Sequence, residues 1–225
     1  MEGGIFITRK KHTLVTAAGE ALELNRTIHL PEADECIRLV SFGRLSSLGF
    51  LRYVAEHTVI HHLDCSTFRV GPRAIKELKR LRGMEQLTSA RFVVATLMRQ
   101  DGGKSAAYGY YEALLKLCAG YGWQVLPMAN HSKLMLFDTG CGKFVLETSS
   151  NLNDAPNWEQ FCFQRDAGLY DFYHGVFDGI FSPPESGTEI EVERGAEAPA
   201  WGSVSTWDTR KGGDLWQENG NPLSW

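Results

Sequence analysis

The sequence lacks the features that most readily identify a metal site, a secretory route or a membrane protein. Its five cysteines, at 36, 65, 118, 141 and 162, form no Cys-x-x-Cys pair. Their number and spacing predict neither a zinc site nor a disulfide framework and favour a reducing compartment. No apolar run resembles a secretory signal or approaches the roughly 18 residues that a membrane span needs. We therefore expect a cytoplasmic protein with no membrane partner.

The sequence also lacks an excess of positive charge. It has 23 Lys and Arg residues against 27 Asp and Glu residues, for a formal net charge of −4. Proteins that capture nucleic acid by general electrostatic attraction usually carry a basic surplus. The composition gives no support for such broad capture, although it is compatible with a local basic groove.

The order of apolar patterns along the chain predicts an α/β fold. Strand-like runs at 37–42, 58–63, 91–98 and 123–127 alternate with helical patterns at 48–55, 72–81 and 110–118. The nearly continuous apolar run at 91–98 is typical of a strand that is covered on both faces. A strand at 161–165 and a helix at 169–181 complete the pattern. We therefore expect a mixed β-sheet flanked by helices on both faces.

Three segments are expected along the 225 residues. Residues 1–34 form an N-terminal extension with a hairpin, whose strands are 4–8 and 13–17 and whose turn carries the basic run 9–12. Residues 35–182 form the main domain. Residues 183–225 contain prolines, glycines and few aliphatic side chains, which predicts a poorly ordered or loosely docked tail that is dispensable for folding. Four tryptophans recur along the tail, and their docking on this chain's own domain or on a like subunit is favoured over capture of a foreign partner.

Chemically active side chains gather on two predicted strands, residues 131–138 and 143–151. Because successive strand side chains point to opposite faces, His131 and Lys133 project from one face of the first strand. In the second strand, Ser149 and Asn151 share a parity. An imidazole nucleophile, an ammonium and two hydrogen-bonding side chains suit a phosphate group. Asp138 has the opposite parity to His131, and we expect it to be a structural anchor.

The pattern His131-x-Lys133-x4-Asp138, followed by Ser149-x-Asn151, resembles the phospholipase D superfamily, whose members cleave phosphodiesters in lipids and nucleic acids. Thr148 stands where the family's Gly-Ser-x-Asn element usually has its glycine, and the spacing between the two elements is slightly long. Glu159 is similar to the acidic or amide residue that often follows. The order of elements extends the resemblance to roughly residues 35 to 182, so the main domain is expected to be phospholipase D-like.

The resemblance implies a metal-independent phosphodiesterase that needs no cofactor. One histidine, here His131, would attack phosphorus to form a phosphohistidine, and a second histidine would protonate the leaving oxygen. Lys133, Asn151 and Ser149 would stabilise the phosphoryl charge, and Glu159 would orient an imidazole. No other histidine of the chain has a lysine two residues on. The chain thus carries half a site, and the resemblance implies a homodimer that shares the site across a twofold axis.

The expected substrate is nucleic acid, DNA or RNA, because small members with one motif resemble nucleases more than lipases. A lipid substrate is less favoured, since no interfacial amphipathic helix with a basic face is found. A catalytically weak or inactive relative that binds nucleic acid or a protein partner is the alternative, and Thr148 is the feature behind it. The doublet His61-His62 is not expected to bind metal, because adjacent strand residues face opposite ways and no carboxylate with a third histidine is expected near it.

Overall fold

The computed structural model describes residues 11–17, 24–42, 45–100, 110–153 and 157–182. The strands in these ranges are β1 (Lys11–Ala17), β2 (Glu35–Phe42), β3 (Ile60–Thr67), β4 (Leu87–Ala95), β5 (Gln124–Met128), β6 (Leu134–Thr139), β7 (Gly142–Thr148) and β8 (Trp158–Arg165). The helices are α1 (Leu24–Thr27), α2 (Ser47–His57), α3 (Pro72–Gly83), α4 (Leu97–Gln100), α5 (Tyr111–Tyr121) and α6 (Ala167–Phe181). None of these helices is long and apolar enough to cross a membrane. The chain divides into two units, Met1–Pro184 and Glu185–Trp225, and the second lies outside the described residues.

One mixed sheet of eight strands organises the first unit, in the order β1-β2-β8-β7-β6-β3-β4-β5. The pairs β1–β2, β3–β4 and β4–β5 are parallel. The pairs that involve β6, β7 and β8 are all antiparallel. The last strands of the described chain therefore lie in the middle of the sheet.

Helices cover both faces of this sheet. On one face, α1 to α5 pack against a large core that includes Phe92, Phe137 and Phe163. On the other face, Tyr170 and Phe177 of α6 pack against a smaller apolar cluster on β4, β6 and β7. Along β6 the buried side chains alternate between the two clusters, as the two-residue period of a strand requires. The predicted fold class, a mixed sheet with helices on both faces, is confirmed.

Local signals explain where the longer helices begin and end. Helix α3 begins at Pro72, whose fixed φ and missing N–H suit the first turn. Helix α6 begins after Asp166, whose carboxylate accepts a hydrogen bond from the Leu169 N–H at 3.0 Å. Helix α5 ends just before Gly122, which has a φ of 70° in the left-handed region that glycine tolerates best.

The two strands that carry the motif are shorter than predicted. Strand β6 begins at Leu134 and β7 ends at Thr148, so His131 and Lys133 precede a strand, and Ser149 and Asn151 follow one. The reason is local hydrogen bonding by polar side chains. Asn130 accepts from the Ser132 N–H at 2.9 Å, and Thr148 accepts from the Ser150 N–H at 2.9 Å. Such turns replace the strand ladder with side-chain hydrogen bonds.

Two other predicted elements also differ from the structure. Lys11 and His12 were expected at a hairpin turn, but they lie in β1, which pairs in parallel with β2. The partner strand predicted at 4–8 lies outside the described residues, as does the tail predicted at 183–225. The apolar run at 91–98 is divided, because β4 ends at Ala95 and α4 begins at Leu97.

Candidate active site

The residues of the motif other than Asp138 meet at one edge of the sheet, where β3 ends, β7 ends, and β6 and β8 begin. The loop after β3 brings Phe68 to this edge, and the segment before β6 brings His131 and Lys133. The loop after β7 brings Ser149 and Asn151. This is the carboxyl edge of the parallel strands β3 and β4, where open α/β sheets usually bind ligands.

Asn130 fixes the segment that carries His131. Its amide nitrogen lies 2.9 Å from Ser66 Oγ, 3.2 Å from the Thr67 carbonyl oxygen and 3.1 Å from the Val93 carbonyl oxygen. Its amide oxygen accepts hydrogen bonds from the N–H and hydroxyl of Ser132. One side chain thus ties the segment before β6 to the ends of β3 and β4. The sequence analysis did not single out Asn130, because its partners come from strands that are distant in the chain.

His131 and Lys133 are in direct contact. The Lys133 ammonium donates to the His131 carbonyl oxygen at 2.7 Å and lies 3.1 Å from the ring Nδ1. An ammonium has only donors, so Nδ1 accepts, and a neutral imidazole in this arrangement carries its hydrogen on Nε2. Burial lowers the pKa of Lys133, and the negative charge of Glu159 partly opposes this. Lys133 is therefore a cation that is partly shielded from water at the edge of the site.

Phe68 supports this pair from the neighbouring loop. The centroid of its ring lies 5.4 Å from the centroid of the His131 ring, and 6.0 Å from Lys133 Nζ. The second distance is within the range of a cation–π contact. Phe68 is a site residue that the sequence analysis missed, since nothing in the local pattern marks a phenylalanine after a strand as a neighbour of His131.

Glu159 and Ser149 form a second pair at the same edge. Glu159 is buried and accepts a hydrogen bond from the Ser149 hydroxyl. The Gln160 N–H in turn donates to Ser149 Oγ at 3.0 Å. Because a hydroxyl has one hydrogen, the predicted donation from Ser149 to a phosphate would require the bond to Glu159 to break. Among its described contacts, Glu159 meets Ser149 and the charge of Lys133 rather than an imidazole, so the orienting contact expected for it is not formed within one chain.

The Asn151 side chain has a buried amide oxygen with no hydrogen-bond partner among the described residues. Its loop is held firmly, because the Ser47 hydroxyl at the start of α2 donates to the Ser150 carbonyl oxygen at 2.8 Å. The Leu152 N–H also donates to Thr67 Oγ1 at 3.0 Å. A buried polar atom without a partner costs about 1–3 kcal/mol. A ligand group that donates a hydrogen bond to the Asn151 amide oxygen would recover part of this free energy.

Thr148, which stands in place of the usual glycine, is hydrogen-bonded into the turn. Its hydroxyl donates to the Gln160 carbonyl oxygen at 2.8 Å and accepts from the Ser150 N–H. The threonine therefore stabilises the turn that presents Ser149 and Asn151.

Asp138 lies at the far end of β6 from this edge. It is five residues beyond Lys133, a separation of about 17 Å at the usual rise of a strand. It pairs in register with Lys143 on β7 and lies within β6. Its distance from the edge agrees with a structural rather than a catalytic role.

A pocket of about 680 Å³ adjoins the edge on the face of the sheet that α6 covers. Lys133 and Ser132 line one end of it, and Glu147 and Tyr173 line it further along. The Tyr173 hydroxyl donates to Glu147 Oε1 at 2.6 Å, and this hydrogen bond, with burial, raises the pKa of Tyr173 to about 12. The sequence analysis missed this pocket because its walls come from β2, β7, β8 and α6.

A second polar cluster lies at the opposite edge, around the fully buried Asp64. His62 Nε2 lies 2.9 Å from Asp64 Oδ1, and His174 Nδ1 lies 2.7 Å from Asp64 Oδ2. The expectation that no carboxylate and third histidine lie near His62 is therefore wrong. Arg91 also donates to both oxygens of Asp64, at 2.6 and 2.9 Å, and to Asp178 at 2.7 Å.

The three potential ligand atoms of His62, Asp64 and His174 lie within 4.8 Å of one another, a spacing that could accommodate a metal ion. The Arg91 guanidinium, however, already places a positive charge on both carboxylate oxygens, where a metal cation would be repelled. Burial raises the pKa of Asp64, but the hydrogen bonds from His62, Arg91 and His174 together outweigh it and lower the pKa to about 2. We interpret the cluster as an ion-pair network that fastens α6 to β3 and β4.

Comparison with known proteins gives little beyond the fold. No family model matches the sequence, and no curated protein matches it. Among solved structures, polyphosphate kinase from Porphyromonas gingivalis aligns with 68% of this chain and 27% of its own, at 10% identity and a TM-score of 0.48. Yeast tyrosyl-DNA phosphodiesterase aligns with 58% of this chain and 46% of its own, at 14% identity and a TM-score of 0.36. Both belong to the phospholipase D superfamily.

The alignments span less than half of either neighbour. Similarities with TM-scores below 0.5 do not establish a common reaction, so any function must be argued from the residues at the edge of the sheet. What those residues define is an α/β protein that presents an imidazole, a partly shielded ammonium and a buried amide at one exposed edge.

Proposed function

We propose that this protein is a metal-independent phosphodiesterase of the phospholipase D type, and specifically a nuclease, that acts through a phosphohistidine at His131. The observation that carries the proposal is the direct contact between the exposed His131 and Lys133 at the carboxyl edge of the sheet. An imidazole nucleophile beside a fixed positive charge can attack a phosphodiester without a metal ion. The Asn151 side chain lies at the same edge, where its NH2 group would donate to a phosphoryl oxygen and its buried oxygen would accept from a donor on the substrate.

The Lys133 ammonium can donate either to His131 or to the phosphate of the substrate. This choice suggests how His131 is activated as the nucleophile. In the free protein its ammonium donates to His131 and so keeps the ring hydrogen on Nε2. The anionic oxygens of a phosphodiester compete for the same ammonium. When Lys133 turns to them, Nδ1 can take a hydrogen and the lone pair of Nε2 becomes free to attack. His131 is exposed, so solvent can carry the proton between the two ring nitrogens.

The reaction then proceeds in two displacements. Nε2 of His131 forms a bond to phosphorus, the bond from phosphorus to the leaving oxygen breaks, and a second imidazole gives that oxygen its proton. Water attacks the phosphohistidine in the second step, the second imidazole accepts its proton, and the N–P bond breaks. The covalent intermediate divides one difficult displacement into two easier ones.

The second imidazole has to come from another chain. The other six histidines lie in, just before or hydrogen-bonded to strands β1, β2 and β3, towards the opposite edge of the sheet: His12, His29, His57, His61, His62 and His174. A homodimer with a twofold axis beside the carboxyl edge would bring two His131 rings to one phosphate. Phosphate binding would then make the two rings unequal, one acting as nucleophile and the other as acid.

Nucleic acid is the substrate that we propose, with phosphates held by local cations rather than by net charge. An inactive relative that binds nucleic acid or a protein was the alternative that Thr148 suggested. Because the Thr148 hydroxyl is hydrogen-bonded within the turn, we see no feature at this position that favours the inactive alternative.

The test is hydrolysis of bis(4-nitrophenyl) phosphate, and of single- and double-stranded DNA and RNA, in excess EDTA. Wild type and a His61→Ala control, which removes an exposed histidine on β3, are expected to be active. His131→Ala is expected to be inactive, and acid quenching of wild type should trap an acid-labile phosphoryl group on His131. Loss of activity in EDTA with rescue by magnesium, or equal inactivity of wild type and His131→Ala, would overturn the proposal.

A further inference from the structure

The pocket of about 680 Å³ beside Lys133 has the size of a site for a small organic group. It lies on the face of the sheet that carries α6, with β2, β8 and β7 as its floor and Tyr173 of α6 in its wall. It is continuous with the catalytic edge, because Lys133 and Ser132 line its near end. Whatever is esterified to a phosphate held by Lys133 has this pocket next to it.

Strand pairing places Glu147 one step inside this pocket. The Thr148 N–H donates to the Lys133 carbonyl oxygen at 3.2 Å, and Leu134 pairs in register with Glu147. Glu147 is therefore one residue further from the edge than Thr148, the backbone partner of Lys133. The group esterified to the reacting phosphate can therefore reach Glu147.

Glu147 supplies the fixed carboxylate acceptor of the pocket. Arg38 also lines the pocket, so its walls carry charges of both signs, and Glu147 is the part of them that attracts a group that donates hydrogen bonds. Glu147 already accepts from Tyr173 at 2.6 Å and, more weakly, from Gln164 Nε2 at 3.4 Å. An ionised carboxylate has about four lone-pair sites, so it can accept a further hydrogen bond.

The remaining walls combine apolar and polar side chains. Val40 and Leu134 give apolar contact, and Arg38 and Gln160 are polar. A pocket with some apolar wall and one fixed carboxylate acceptor matches a nucleobase whose edge carries an amino group. Carboxylate side chains accept from such amino groups when proteins read bases.

We infer that this pocket receives the nucleoside next to the scissile phosphate, and that Glu147 selects bases with an exocyclic amino group over uracil and thymine. The inference rests on the proposed function, because it assumes that a phosphodiester lies at Lys133. Tyr173 is the positioning residue, since its hydroxyl holds the Glu147 carboxylate in place.

Cytosine and uracil give the sharpest comparison, because they differ at position 4, where an amino donor is replaced by an oxygen acceptor. The substrates are the 4-nitrophenyl 5′-phosphodiesters of deoxycytidine and deoxyuridine, which share one phosphate and one leaving group. Bis(4-nitrophenyl) phosphate, which has no base, reports the phosphodiesterase activity itself. One good contact to a base edge discriminates by about 1–3 kcal/mol, so kcat/KM of wild type should favour deoxycytidine by about tenfold.

Glu147→Gln should reduce this ratio to within about twofold of unity, and Glu112→Gln, on the exposed side of α5, should keep it. Tyr173→Phe should give an intermediate ratio, and it carries the test if Glu147→Gln does not fold. A wild-type ratio near unity, or a ratio that survives in both variants, overturns the inference. So does a change in oligomeric mass of Glu147→Gln in sedimentation, which would mark the pocket as an interface between copies of the chain.

Failure of the two proposals can be told apart. If wild type hydrolyses bis(4-nitrophenyl) phosphate but neither nucleoside diester, the pocket does not take a nucleoside while the phosphodiesterase stands. If it hydrolyses none of the three, both proposals fall.

Discussion

Lys133 donates to His131 at two points, the backbone carbonyl oxygen at 2.7 Å and the ring Nδ1 at 3.1 Å. One side chain thus sets both the position of the loop and the tautomer of the ring that it presents. Since this contact joins residues two apart in a loop at the surface, it should contribute to reactivity much more than to folding.

Lys133→Ala tests that division. We expect kcat for bis(4-nitrophenyl) phosphate to fall by about 10²–10³, the usual cost of removing a group that stabilises transition-state charge. The free energy of unfolding, from urea denaturation, should change by no more than about 0.5 kcal/mol, as at other surface positions. A large loss of stability would identify Lys133 as a structural residue instead.

Mixed dimers of wild type and His131→Ala test the shared site. If each site needs His131 from both chains, a mixed dimer has either a nucleophile or an acid and should be inactive. After subunit exchange, activity should therefore follow the square of the wild-type fraction. A linear dependence would show that each chain has an independent site.

Ser149→Ala should affect folding as well as activity. It removes the hydroxyl that donates to the buried Glu159, leaving a carboxylate without that donor. We expect the free energy of unfolding to fall by about 1–3 kcal/mol in urea denaturation. Ser182→Ala, at the exposed end of α6, is the matched control and should be neutral. Unchanged stability with a large loss of kcat would instead show that the hydroxyl acts on the phosphate.

The ion-pair network around Asp64 predicts a loss of stability in acid. The pKa of Asp64 is lowered to about 2 in the folded protein, below the value of the unfolded chain, near 3.9. A lowered pKa stabilises the fold above the unfolded value, so this contribution of about 2 kcal/mol is full above pH 5 and is lost between about pH 4 and pH 2.

Urea denaturation between pH 2 and pH 6 measures this contribution. Asp64→Asn should be destabilised at pH 6, because it leaves Arg91 without its buried partner, and should lose part of the steep dependence below pH 4. Asp171→Asn, which removes an exposed carboxylate paired with Lys143, should keep the wild-type profile. If the free energy of unfolding of Asp64→Asn depended on pH in the same way as that of wild type, Asp64 would not be the group behind the loss of stability in acid.

The fold class could be predicted because the spacing of apolar residues in strands and helices can be recognised within short stretches of the sequence. The contact between His131 and Lys133 is likewise local, since the two residues are two positions apart. The ends of β6 and β7 could not be predicted from alternation, because Asn130 and Thr148 accept backbone hydrogen bonds that a strand would have made. When polar residues stand in a strand-like pattern, the sequence does not show whether the backbone will bond to a neighbouring strand or to these side chains.

Contacts between segments that are distant in the sequence could not be predicted from local patterns either. His174 lies 110 residues from Asp64, and nothing near either residue marks them as partners. The bond between Ser149 and Glu159 depends on how β7 pairs with β8, and a register shift of one residue would abolish it. The motif therefore pointed to the edge where its residues meet, whereas the hydrogen bond between Ser149 and Glu159 and the ring contacts of Phe68 emerged only from the folded chain.

The strand order affects how the sheet forms while the chain is being synthesised. Within the sheet, β2 and β3 are joined only through β8, β7 and β6, which are the last of the described strands to be synthesised. A growing chain thus holds two separate fragments, β1–β2 and β3–β5, until residues 134–165 insert between them. Pairings over such long separations are slow to form. The inserted segment also carries Ser149, Asn151 and Glu159, so the step that closes the sheet is also the step that completes this edge.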